Sequence, residues 1–284
     1  MLTEVIDWLA PKPGQIVVDG TLGGGGHSRA LAEHVGSDGC VIALDRDPDA
    51  VDSSIAEFDG LPIKPIHANF CNLPEVLAQE GLEHVDAVLL DLGISSDQLA
   101  DDDRGFSFQS EGPLDLRMDP TKGDPAWRLI ERLSERHLAD LIYEFGEERF
   151  SRRIARKVVE TRRRSPIRTS QQLAELVRKC VRVGRRQNLD PATRTFQALR
   201  IAVNEELRSL EIALRRIPDC LRPNGRVAII SFHSLEDRRV KTAFRDDNRY
   251  EVLTKKPVRP TDAEIARNPR CRSSRLRVAA RVSS

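Results

Sequence analysis

Ile16-Val17-Val18-Asp19-Gly20-Thr21-Leu22-Gly23-Gly24-Gly25-Gly26-His27-Ser28 is the stretch that decides the fold. A β-branched run stops at an acid and gives way to glycines, which reads as a buried strand breaking into a tight turn that opens a helix. Glycine adopts positive φ without steric cost and lets a ligand approach the backbone, so the run reads as a nucleotide-type cradle above the first strand.

Outward from this turn the pattern repeats. Cys40 to Leu44 forms a second apolar strand ending in Asp45, about twenty residues past the glycines, where nucleoside-binding folds place a ribose-binding carboxylate. Asp47-Pro48 already supplies the start signal of the following helix, which leaves Asp45 for a ligand. A third strand over Ile63 to Ile66 precedes Asn69-Phe70, a helix runs from about Leu73 to Glu80, and Ala87 to Leu90 ends in Asp91. Near-continuous apolar strands alternating with helices predict a parallel, doubly wound α/β sheet with its site at the carboxyl edge. Asp19, Asp45, Phe70 and Asp91 fall at that edge.

After Asp91 the periodicity lapses into a long irregular passage, Leu92 to Asp119, of the kind that usually carries function. Helical periodicity runs from Ala126 to about Arg186, and the segment from Pro191 leads into a long helix through Glu205, Leu210 and Leu214. Arg222-Pro223-Asn224-Gly225 ends a helical turn, and Arg226 to Ser231 gives a fifth strand that finishes in Phe232-His233-Ser234. Glu251 to Thr254 and Leu276 to Ala279 pair as final antiparallel strands around a second basic loop, Asn268 to Arg275. The expected organisation is a discontinuous sheet domain over 1–123 and 200–284 with an inserted helical, basic subdomain over 124–199.

The net charge of +1 conceals a division. Arg149 to Arg186 holds 14 Lys/Arg against Glu160 and Glu175, whereas residues 1–120 hold 23 acids against six bases. So basic a segment is the footprint of a phosphate-backbone contact. The five cysteines are odd in number and scattered, which indicates neither a disulfide framework nor a metal site. The apolar runs are too short to span a bilayer, and the N-terminus lacks an export-signal pattern, so a cytoplasmic protein is expected.

The compact glycine run beside His27, without Gly-x-Gly-x-x-Gly spacing or a second mononucleotide-binding half, argues against a dinucleotide. A single nucleoside with a small charged tail suits it better, and S-adenosylmethionine is such a ligand.

At this point the residues resemble a known family. The blocks D-G-T-L-G-G-G-G-H-S from Asp19, L-D-R-D-P from Leu44, D-L-G-I-S-S-D-Q-L from Asp91, R-G-F-S-F from Arg104 and G-P-L-D-L-R-M-D from Gly112 look like the bacterial RsmH (MraW) family. So do G-E-E-R-F from Gly146, R-T-F-Q-A-L-R-I-A-V-N-E-E-L from Arg194, I-S-F-H-S-L-E-D-R from Ile230 and N-P-R-C-R-S-S-R-L-R from Asn268. The resemblance implies a class I, Rossmann-like methyltransferase sheet with an inserted helical domain for substrate recognition. It implies methyl transfer from S-adenosylmethionine to the 4-amino group of a cytosine in the decoding region of 16S rRNA, with the small ribosomal subunit as partner and S-adenosylhomocysteine as product. Cofactor contacts then fall on Gly25, Gly26, His27, Asp45, Phe70, Asp91 and Gln98. Ser95 and His233 are candidates for activating the amino group and taking its proton, and Asp91 and Asp237 stand beside them as alternatives. Asp97 replaces the family's usual proline, Gly24 a frequent arginine, and the chain begins within the family's first helix without its His-containing lead. No membrane partner is expected, and the sequence leaves a homodimer open. A DNA amino-methyltransferase, the rival enzyme class, carries a Pro-Pro-aromatic block after strand four, where this chain has Asp91-Leu92-Gly93-Ile94.

Overall fold

The computed structural model describes residues 1–181 and 190–283. Arg182, Arg185 and Arg186 of the basic segment lie outside the described residues. The chain divides into two compact units, Met1–Gly93 with Leu207–Ser284, and Ile94–Glu206.

The first unit is built on seven strands among the described residues: β1 (Ile16–Asp19), β2 (Cys40–Asp45), β3 (Ile63–His67), β4 (Val85–Asp91), β5 (Leu221–Ser231), β6 (Tyr250–Val252) and β7 (Arg275–Arg281). Their order is β3-β2-β1-β4-β5-β7-β6, with β7 antiparallel to both neighbours and the remaining pairs parallel. Alternate residues face opposite sides of a strand, and here both sides are covered. Val18, Ile42, Leu44, Val88, Leu90 and Ile229 join one core with helices Leu73–Gln79, Glu206–Cys220 and Ser234–Asp246. Val17, Val41, Ala43, Ala87, Leu89 and Ile230 join the other with helices Leu2–Leu9, Gly26–Val35 and Pro48–Glu57. Two-sided burial explains why the strands read as unbroken apolar runs. Because β2 lies to one side of β1 and β4 to the other, the chain reverses direction across the sheet at β1 and β4. Their carboxyl ends form the topological switch point where open α/β sheets bind ligands.

The second unit packs Leu138 and Ile142, Ile154 and Val158, Leu173 and Val177, and Phe196 and Leu199 from four helices into one core. Phe106, Leu114, Leu116 and Met118 join it. The expected boundaries at 123/124 and 199/200 therefore do not coincide with the compact units. The passage after Asp91 is less irregular than expected: it holds the short helix Ser96–Ala100 and the 3-10 turn Asp102–Arg104, and it is braced by Arg104, which donates to the carbonyls of Arg117 and Met118, and by Asn204 Oδ1, which accepts from Met118 N at 2.7 Å. The helix expected to run on through Glu205 is also two helices. Thr193–Asn204 ends at Glu205, whose φ of 48° is left-handed, and Glu206–Cys220 begins anew. Likewise β5 starts at Leu221 opposite Val85, and Arg226 faces Ala87, so Arg222 to Gly225 form a bulge within the strand.

No helix among the described residues is long and apolar enough to cross a membrane.

Candidate cofactor site

Backbone bonds stitch the glycine turn to the strands on either side. Gly20 N donates to Leu89 O of β4 and Leu22 N to Leu44 O of β2, each at 2.8 Å. Asp19 is fully buried; its Oδ2 accepts from Ser28 Oγ at 2.7 Å and its Oδ1 from Thr21 N at 3.1 Å. Thr21 Oγ1 accepts from Asp91 N at 2.7 Å, which ties the turn to the end of β4. Thr21 escaped notice in the sequence, since nothing local marks a threonine that bonds a residue 70 positions away.

Gly25 sits at φ +73°, and a Cβ there would lie 2.3 Å from Phe58 Cζ; a Cβ on the exposed Gly26 would meet nothing within 4 Å. Gly25 thus fixes the turn against the core, while Gly26 faces open space. Helix Gly26–Val35 begins at this point without a side-chain cap, so its leading N–H groups are available to an anion.

His27 Nε2 lies 3.4 Å from Asp91 Oδ2. His27 Nδ1 and Asp91 Oδ1 are buried and have no hydrogen-bond partner among the described residues. Burial works against the charged ring, but the Asp91 and Asp19 carboxylates outweigh it and hold the His27 pKa above the ordinary imidazole value. Burial pushes the carboxyls of Asp19 and Asp45 upward. A group with a raised folded pKa that gains from its charged form stabilises the fold fully below its unfolded value and loses that contribution as pH rises through the folded one. Urea titrations of wild type and His27→Gln between about pH 5.5 and 9 are therefore expected to differ most at the acid end and to converge toward alkaline pH. A pH-independent difference would remove the ion pair from the account.

The structure brings Gly25, Gly26, His27, Asp45, Phe70 and Asp91 to one edge of the sheet unit. Asp45 is less free than its sequence position suggests, because Oδ2 accepts from Gly23 N at 2.8 Å and Oδ1 from Asp47 N at 2.9 Å. Each carboxylate oxygen keeps a second lone pair for a ligand. Phe70 opens the short 3-10 turn after β3, is half-buried, and has its Cβ 3.1 Å from where a Gly20 Cβ would stand. Ser95 and Gln98 belong to the second unit and form a reciprocal capping box. Ser95 Oγ accepts from Gln98 N at 3.0 Å, and Gln98 Oε1 from Ser95 N at 3.2 Å. His233 lies in the sheet unit and caps helix Ser234–Asp246 in the same manner: its Nδ1 accepts from Glu236 N at 3.4 Å, and its Nε2 faces Glu236 Oε1 at 3.1 Å. Nδ1 is thereby occupied as the acceptor that caps the helix. Asp237 is bonded to Arg277 at 2.7 Å and to Arg275 at 3.1 Å; burial would raise its carboxyl, but the two guanidiniums hold it below the usual range.

S-adenosylmethionine carries a carboxylate and an ammonium at one end and a ribose at its centre. An uncapped helix N-terminus, an orphaned Asp91 oxygen, an acid at the end of β2 and the open face at Gly26 fit that group.

A family model described as the MraW methylase family matches residues 1–282. Ribosomal RNA small subunit methyltransferase H of Rhodopirellula baltica is 50% identical over 99% of this chain and 90% of its own length. The protein of that name from Thermomicrobium roseum is 46% identical over 100% of this chain and 93% of its own. A crystal structure of a provisionally named rRNA methylase from Clostridium thermocellum superposes with a TM-score of 0.50 at 12% identity, covering 100% of this chain and 96% of that one, a likeness of fold alone.

Proposed function

The chain belongs to the MraW methylase family, and from that premise we infer that it methylates the 4-amino group of a cytosine in small-subunit ribosomal RNA, using S-adenosylmethionine. The observation that carries this reading is the His27–Asp91 pair at the switch point, beside the uncapped helix N-terminus. The bound cofactor supplies an electrophilic methyl group on a sulfonium. The leading N–H groups at Gly26 and His27 hold its carboxylate, Asp91 provides the anion its amino-acid end requires, Asp45 accepts from its ribose and Phe70 lies against its adenine.

Cytosine's exocyclic nitrogen is a poor nucleophile because its lone pair is delocalised into the ring. An acceptor that draws on one amino proton localises that pair, and in-line alignment supplies much of the remaining acceleration. Asp91 is taken by the cofactor's amino-acid end in this reading, which leaves the first task to a backbone carbonyl at the end of β4. Ser95 and His233, the other candidates, act in this reading as helix caps that fix the backbone around them. Gln98 contributes by holding Ser95.

The RNA partner is met by the basic helical face, in the small ribosomal subunit of the cytoplasm, with the target base out of its stack. On that face Arg162 is partly a structural residue, since it donates to Ile130 O and burial lowers its pKa, whereas Arg163 and Arg164 are exposed. Arg163→Gln with Arg164→Gln is expected to weaken RNA binding and to flatten its dependence on log salt by about 0.7 for each phosphate left unneutralised, measured by anisotropy. An unchanged slope would assign the pair to another surface.

The reaction is tested by incubating the protein with methyl-labelled S-adenosylmethionine and small subunits, naked rRNA or DNA, then mapping the labelled base. Label on a small-subunit cytosine is the expected result. Label on DNA, or none, would overturn the reading.

A further inference from the structure

We propose that the excursion between β6 and β7, residues 255–275, is a second RNA-backbone surface, carried by the sheet unit and grouped around Lys255, Lys256, Arg259, Arg267 and Arg272. The proposal rests on the methyltransferase reading above and names how that substrate is held at the sheet edge.

Topology locates the surface. Ser231, the last residue of β5, pairs with Arg275, the first of β7, so β7 begins at the carboxyl end of β5. Val258 exchanges both backbone hydrogen bonds with Leu276, at 2.9 and 3.0 Å, which returns the excursion to that same end. Asp19, Asp45 and Asp91 lie at the carboxyl ends of β1, β2 and β4, which run parallel to β5. The basic excursion and the carboxylates at these strand ends therefore share one edge of one sheet.

Charge identifies the partner. The segment holds seven bases against Asp262 and Glu264, and Glu264 is taken by the N-terminal ammonium of Met1. Most arginines elsewhere in this unit are paired: Arg216 with Glu75, Arg222 with Asp86, Arg239 with Glu211, Arg249 with Asp219 and Asp247. By contrast the five cations named above are exposed and make no ion pair among the described residues. Exposed cations left without partners near a methyl-transfer edge suit a ribose-phosphate chain, whose regularly spaced charges would pair with several at once. The frame that carries them is ordered: Cys271 and Ser274 are buried, Ser274 Oγ donates to Cys271 O at 2.6 Å, and Pro260 is buried. No aromatic interleaves with the cations between 255 and 275, so the surface reads the backbone and leaves the bases free.

The test uses the full chain with Lys255→Gln, Lys256→Gln, Arg259→Gln, Arg267→Gln and Arg272→Gln combined, and a second variant with the two lysine changes alone in case the first fails to fold. A labelled single-stranded RNA oligonucleotide and purified small-subunit rRNA are titrated by anisotropy between about 50 and 200 mM salt, and S-adenosylmethionine by calorimetry. With about three fewer phosphates neutralised, the variant should lose roughly twentyfold less affinity than wild type across that range, and bind more weakly at the low-salt end. Cofactor affinity should be unchanged, and the lysine pair should show a partial effect of the same sign. Equal salt slopes for variant and wild type, with wild type binding and methylating rRNA, overturn the surface alone. Wild type that binds S-adenosylmethionine but neither binds nor methylates rRNA overturns the function and, with it, this proposal.

Discussion

Asp91→Asn is expected to weaken S-adenosylmethionine binding by roughly ten- to a hundredfold, the loss of one hydrogen bond to a charged group in a shielded site. The substitution keeps the shape of the side chain and the bond from Asp91 N to Thr21 Oγ1, so toward alkaline pH, where the His27 ion pair no longer contributes, stability should change far less than affinity. A second readout separates an electrostatic role from a steric one. Asp91 is the strongest of the influences that raise His27, so the imidazole should titrate lower in the variant, visible in its proton resonances. Unaltered cofactor affinity measured by calorimetry would remove Asp91 from the site. Unaltered His27 titration would break the pair on which the reading of the pocket depends.

Gly25→Ala is expected to destabilise the fold by about 2–4 kcal/mol, because it combines left-handed strain with a Cβ driven into Phe58. The two causes separate in a Phe58→Leu background. The smaller side chain relieves the clash and leaves the backbone penalty, so the glycine substitution should cost less there. Gly26→Ala is the internal control: its Cβ meets open space, so stability should hold while cofactor affinity falls. Equal stability losses at Gly25 and Gly26 in thermal denaturation would show that the turn yields as a whole.

The sheet was readable because its strands are buried on both faces, and Val17 and Val18, Ile42 and Ala43, or Val88 and Leu89 need no alternation to betray them. Acids at strand ends were equally plain. What escaped depended on partners distant in sequence. Phe106, Leu114 and Leu116 lack periodicity, so their passage read as a functional loop, although they complete a helical core. The break at Glu205 has no glycine or proline to announce it. Ser95 to Gln98 and His233 to Glu236 both carry the spacing of a capping box, and that signal was legible, but their place after strand ends drew a chemical reading first. Asp45 looked free because the backbone donor from Gly23 becomes its neighbour only when the turn folds over β2.

The strand order also has a consequence for biosynthesis. β4 ends at Asp91, and its outer partner β5 begins at Leu221, about 130 residues later. At roughly 5–20 residues per second the ribosome needs on the order of ten seconds to deliver it, and meanwhile the edge of β4 presents Val88 to Leu90 with unpaired backbone groups. Helices of short contact range emerge during that interval. The nascent chain thus carries an adhesive sheet margin until its last quarter is made, and slowed translation between Asp91 and Leu221 should show as aggregation of stalled chains.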